Sequence, residues 1–260
     1  MPRREATQLA QRWCRASNAL DGGLRVAYLA SEIESRPLAL AAEALDDVCG
    51  AAEQAAPNAR ELLVSLVDLL AGDRGAHLAE KLREHAAQHS LLALGRLLRR
   101  PASSSRLRTE GTEARIPDYG TGRALTLGER KALARKPSRK AMEKLLADPH
   151  PAVIRTLLHN PKVVEDDVVR LAARRPNDPA LLAAVAGSPR WAHRVKVRMA
   201  IVLNPDTPAA VAIPLLALLV RPELRLVAEA ADLAPALRAA AHDLLMRRPP
   251  VRTPPKSGLQ

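Results

Sequence analysis

The sequence predicts an all-α protein in two parts, an N-terminal helical bundle followed by a C-terminal α-solenoid. Three observations predict it. First, Leu133–Pro222 is punctuated as LARKP, LLADP, LLHNP, LAARRP, AVAGSP, IVLNP and LLVRP, with prolines at 137, 149, 161, 176, 189, 205 and 222. Each gap of 12 to 17 residues fits one short helix and a turn, and two gaps make the helix pair of a solenoid. Second, the chain is 47% hydrophobic but has no Phe, two Trp and two Tyr. Leu, Ala and Val must therefore fill the core, which suits closely packed helices better than sheets. Third, apolar residues recur at helical spacing through the first hundred positions.

In that first region, Glu5–Leu20 reads as one helix ended by Asp21-Gly22-Gly23, and Leu24–Ser35 as a second, stopped before Pro37. Leu38–Ala56 is a third, with Leu38, Ala41, Ala42, Leu45 and Val48 on one face. Asn58 is placed to cap a fourth, Ala59–Ala71, which ends at Gly72. Gly75–Arg100 is one long helix or two. No repeat is visible, so residues 1–100 read as a bundle.

Residues 101–124 are dense in Pro, Ser, Gly and Thr and lose apolar periodicity. They read as a flexible linker that lets the halves move independently. Residues 125–247 are the repeat half. Asp148-Pro149, Asp178-Pro179, Ser188-Pro189 and Thr207-Pro208 each offer an N-cap followed by a proline, which is tolerated at the first helical position. Glu165, Asp166 and Asp167 open another helix at its positive end. Pro214 is expected to kink or split its helix. Residues 248–260 have the composition of a disordered tail.

Charge divides the chain. Residues 1–122 hold 16 basic and 16 acidic side chains, whereas residues 123–260 hold 24 and 12, so the whole net charge of +12 belongs to the second part. That asymmetry points to an acidic partner. Arg outnumbers Lys by 32 to 8 in an Ala- and Pro-rich chain, which reads as GC-rich, bacterial coding, so Arg density alone does not identify a ligand. Cys14 and Cys49 form no CxxC and read as reduced thiols. The basic N-terminus lacks an apolar signal segment, and the longest uncharged stretch, Thr207–Val220, is too short to span a bilayer. A cytoplasmic protein is expected. No P-loop, GxSxG, HExxH or strand-borne GxGxxG occurs, so the composition and motifs favour a protein that is not an enzyme and has no cofactor.

The segments Ala152–Pro176 and Arg198–Leu219 resemble leucine-rich-repeat-variant and HEAT-like repeats, a short helix, an Asn-Pro or Asp-Pro turn and a second helix. The resemblance covers about residues 128–240. It implies a binding scaffold. The iron–sulfur cluster associated with some leucine-rich-repeat-variant proteins does not carry over to a chain with two cysteines, and a HEAT-like glycosylase would need a carboxylate where none lies between Asp178 and Asp206.

Within the repeats, Pro189–Arg198 is the densest basic stretch and contains Trp191. Two readings compete. In one, Arg190, Arg194 and Arg198 form a row at i, i+4 and i+8 beside a stacking Trp191. In the other, Trp191, Val195, Met199 and Val202 form a buried helical face and the arginines are solvated. Lys131, Arg155 and Arg170 each stand six positions before a proline and predict a basic ladder. His85 and His89 share a helical face, but Lys81 one turn earlier cannot complete a metal site, so no metal is predicted. The sequence thus predicts a non-catalytic scaffold that holds an acidic protein partner through Arg155, Arg170, Arg190, Trp191, Arg194 and Arg198. Nucleic-acid binding through the same residues is the alternative, and no oligomeric state is implied.

Overall fold

The structure is a computed structural model that describes residues 2–71, 75–100, 116–188 and 190–249. Among them every regular element is a helix. The first six are α1 (Pro2–Ser17), α2 (Gly22–Glu34), α3 (Leu38–Glu53), α4 (Pro57–Ala71), α5 (Gly75–Gln88) and α6 (Leu92–Leu97). The stop expected at Gly72 lies outside the described residues. Two turns close on left-handed residues that are not glycine. Ala55 (φ 64°) ends α3, with the Ala56 N–H donating to the Ala51 carbonyl at 3.0 Å. Ser90 (φ 55°) does the same after α5, with the Leu91 N–H on the Ala86 carbonyl at 3.0 Å. That turn is why Gly75–Arg100 is two helices.

The second part runs α7 (Leu127–Arg135), α8 (Arg139–Leu146), α9 (Pro151–Leu158), α10 (Glu165–Ala173), α11 (Pro179–Ala186), α12 (Val195–Val202), α13 (Ala209–Leu216), α14 (Arg221–Glu229) and α15 (Pro235–Arg247). One helix falls in every interval between the punctuating prolines. Alternate helices pack on one another: α7 on α9, α9 on α11, α10 on α12 and α13 on α15. From α7 to α12 the helices therefore form two rows with their turns at two opposite edges, and beyond them α14 packs against α15.

Asp178 caps α11 by accepting from the Ala180 N–H at 2.8 Å, as its Asp-Pro pair predicts. Asp148 does not cap α9. It is buried against Arg130 and Tyr119, and His150 caps instead, its Nδ1 accepting from the Ala152 N–H at 3.1 Å. Thr207 turns back to donate to the Ile201 carbonyl at 2.6 Å, so Pro208 takes the cap position of α13. The Ser188-Pro189 cap includes a residue outside those described. Pro214 lies inside α13 without splitting it, because the helix ends two residues later and has little ladder left to lose.

The core is continuous through both parts, joining Trp13, Leu45, Leu62 and Leu66 to Ile154, Leu182, Ile201 and Leu219. α4 lies against α11 and α13. Arg60 donates to the Leu218 carbonyl at 2.7 Å, and Arg247 pairs with Glu53 at 3.4 Å. Two expectations change accordingly. The halves are docked rather than independent, and Arg248, read as the start of the tail, is buried with its guanidinium on the carbonyls of Ala217 and Leu219. Of the linker, residues 101–115 lie outside those described, as do residues 250–260 of the tail. Residues 116–124 are not helical, and the array holds them: the Tyr119 hydroxyl donates to Asp148 at 2.7 Å and Lys144 donates to the Asp118 carbonyl.

A basic and apolar edge built from the array's turns

Most helices of the array have only eight or nine residues, so unpaired C-terminal carbonyls are a large share of their backbone. The array satisfies them across two helices. Asn160, after α9, donates its amide to the carbonyls of Ala134 and Arg135 at the end of α7, at 3.1 and 2.7 Å. Asn204, after α12, makes the same pair of bonds to Ala172 and Arg174 at the end of α10, at 2.7 and 2.9 Å. Each Asn oxygen then accepts from the N–H two residues on, which fixes the turn. After α11, the Trp191 indole N–H donates to Leu158 O at 2.9 Å and Arg190 to Asn160 O at 2.8 Å.

These bonds decide where the sequence-predicted residues stand. Trp191 is 3% exposed and Arg198 7% exposed, so neither faces solvent. Arg190 lies over the Trp191 ring at 4.5 Å and is turned onto the carbonyls of Asn160 and Val163. The expected row of three arginines does not form, because α12 begins at Val195 and leaves Arg190 and Arg194 in the preceding turn. The alternative apolar face is also different: Val195 is exposed, and Val197, Arg198, Ile201 and Val202 are buried. Arg155 and Arg170 are exposed but stand in different rows, on α9 and α10, so they make no common ladder. Arg170 pairs with Asp167 at 2.5 Å, and Arg194 lies 3.7 Å from Glu165.

What the fold does bring together is the set of turns at one edge, residues 135–140, 159–164 and 190–196. The Asn160 and Arg190 bonds tie them side by side, and Lys162 reaches the Pro137 carbonyl at 3.5 Å. Arg135, Lys136, Lys140, Lys162, Arg194 and Lys196 are exposed along it. Between these cations lie apolar side chains at the helix starts: Val164 is 55% exposed and Val195 48%. α7, α9 and α11 end at this edge while α8, α10 and α12 begin there, so helix dipoles offset one another and the field comes from side chains. The signal was present in the sequence as basic residues touching the prolines, Lys136-Pro137, Pro161-Lys162 and Pro189-Arg190, rather than six positions away.

The opposite edge carries Asp148, Asp178, Asp206 and Asp232, and its carboxylates serve the fold. Asp148 takes both oxygens to Arg130 at 2.7 Å, Asp206 accepts from the Asn177 N–H at 2.8 Å, and Asp232 pairs with Arg175 at 2.7 Å.

Among the described residues no group of three His, Cys, Asp or Glu side chains converges on a metal position. His85 and His89 stack at 4.2 Å, and burial together with His89 lowers the His85 pKa. No described helix is long and apolar enough to cross a membrane. Compared with family models, curated proteins and solved structures, the chain matches none.

Proposed function

We propose that this chain is a non-catalytic scaffold whose array, a solenoid in the sense of the repeats it resembles, holds an acidic protein partner along the edge formed by turns 135–140, 159–164 and 190–196. The observation that carries the reading is the mixture at that edge, with Val164 and Val195 standing exposed among Lys136, Lys162, Arg194 and Lys196. Apolar anchors inside a basic rim suit a protein surface, where the valines are desolvated and the cations steer and orient.

Nucleic acid is less favoured because the aromatic side chains are committed to the fold. Trp13 and Trp191 are buried, Tyr119 is bonded to Asp148, and Tyr28 packs against the core. Base stacking, which supports most sequence-tolerant single-strand binding, has no platform here.

The test is fluorescence anisotropy of the full chain with a labelled peptide of interspersed Glu and Leu, and with labelled duplex DNA and single-stranded RNA. The expected result is peptide binding that Val164→Ser with Val195→Ser weakens about tenfold, in line with the loss of two partly buried aliphatic contacts. Tighter binding of nucleic acid, with a steep salt dependence and no response to the valine changes, would transfer the edge to phosphate recognition.

A further inference from the structure

The seam between the bundle and the array is charged although it is buried. Asp68 of α4 is inside it, and its Oδ1 has no hydrogen-bond partner. α11 and α13, the array helices on which α4 lies, contain no ionisable side chain, so neither offers it a counter-charge. Arg198 of α12 is the charged group that acts on it, and Arg198 is itself buried with Nε unpaired. The other charges facing Arg198 are engaged elsewhere: Arg60 on the Leu218 carbonyl, Glu61 with Arg25 at 2.9 Å and Glu223 on the Val220 N–H at 2.8 Å. Further along the same seam, Glu53 is held by Arg96 at 2.6 Å and Arg247 at 3.4 Å. These border a cavity of about 40 Å³ lined by Cys49, Leu63 and Leu97 from the bundle and Ile213, Leu216 and Leu244 from the array.

A carboxyl in such a place tolerates its neutral form and resists ionisation. Burial pushes Asp68 up to about 7 against the pull of Arg198, and burial lowers the pKa of Arg198. We propose that the bundle is a proton-latched lid on the array: docking holds Asp68 in its protonated form, and loss of that proton opens the seam and bares the α13 and α15 surface beneath it. The latch involves none of the residues of the basic edge.

The closed state keeps the proton that an open, solvated carboxylate releases near its ordinary value of 3.8. Closure is therefore complete in its advantage below that value, weakens as pH rises, and stops weakening once the closed form also ionises, near 7.

Cys49 reports on this directly, since its thiol lines the seam and is buried. The experiment is the reaction of full-length Cys14→Ser protein with 4,4′-dithiodipyridine from pH 5 to 8, normalised to free cysteine. The expected rate rises by up to about tenfold per pH unit from pH 5, flattening above pH 7, as one linked proton requires. Asp68→Asn is expected to be slow and flat, with unchanged helical circular dichroism. Asp68→Ala serves as the second variant, with the same expectation, should the amide disturb folding. A wild-type rate that does not vary between pH 5 and 7, or a rise that survives in a folded Asp68 variant, overturns the proposal.

Discussion

The two edges of the array are made by the same kind of turn and do different work. At one edge the acids Asp148, Asp178, Asp206 and Asp232 are bound to arginines, backbone N–H groups or the first turn of a helix. At the other, Asn160, Arg190 and Trp191 have taken over the backbone carbonyls, and Lys136, Lys140 and Lys196 stand exposed beside Lys162. Counting charges does not distinguish these edges. Asking which charges the fold consumes does, and it turns a diffuse excess of +12 into a surface with a position.

The largest expected effect is on the consumed side. Asp148→Ala leaves Arg130 buried without its carboxylate and removes the hydroxyl partner of Tyr119. Loss of about 3–5 kcal/mol in urea unfolding is expected for a broken buried pair. A loss near zero would mean that this edge is no more structural than the other.

Next come the amides that hold the two edges in register, Asn160 at the basic edge and Asn204 at the acidic one. Asn160→Ala and Asn204→Ala each free two carbonyls at a helix end. A cost of about 1–3 kcal/mol apiece is expected from the same unfolding measurement. Asn160→Ala should also weaken ligand binding at the basic edge, whereas Asn204→Ala should not, because Asn204 stands at the opposite edge.

Acid separates the two edges without mutation. Glu129, at the acidic-edge end of α7, is lowered to about 2 by its hydrogen bonds to Arg123 and Thr126. Because its pKa falls on folding, its contribution is present above the ordinary value of 4.5 and is lost as pH falls through about 2. Thermal melts should therefore lose a pH-dependent component below pH 4.5 that Glu129→Gln lacks. The smallest expected effect is on the exposed side, where Lys136→Glu or Lys162→Glu should change stability by less than about 0.5 kcal/mol.

Much of the architecture was legible because proline is a local signal. It cannot sit in a helix interior without losing a hydrogen bond, so seven prolines mark seven boundaries whatever the tertiary context. The cap at Asp178 and the acidic start of α10 were legible for the same reason. The site was not, because its determinants are non-local. Nothing near Trp191 in the chain indicates that its indole N–H will meet Leu158, 33 positions back, nor that Arg198 will be covered by a bundle whose Asp68 lies 130 residues away. Left-handed Ala55 and Ser90 were hidden too, since the usual glycine signal is absent there.

On the proposed function, position and not net charge makes the basic edge a binding surface. Two full-length triple variants of equal charge change separate position from charge, Lys136/Lys162/Arg194→Glu on the edge and Arg123/Arg170/Arg174→Glu away from it. Both are titrated by anisotropy with the same acidic, Leu-containing peptide. The first variant is expected to lose at least about tenfold in affinity while the second stays within about threefold of wild type, apart from the screened long-range field. Equal losses in the two variants would contradict it and return the protein to a diffuse basic surface.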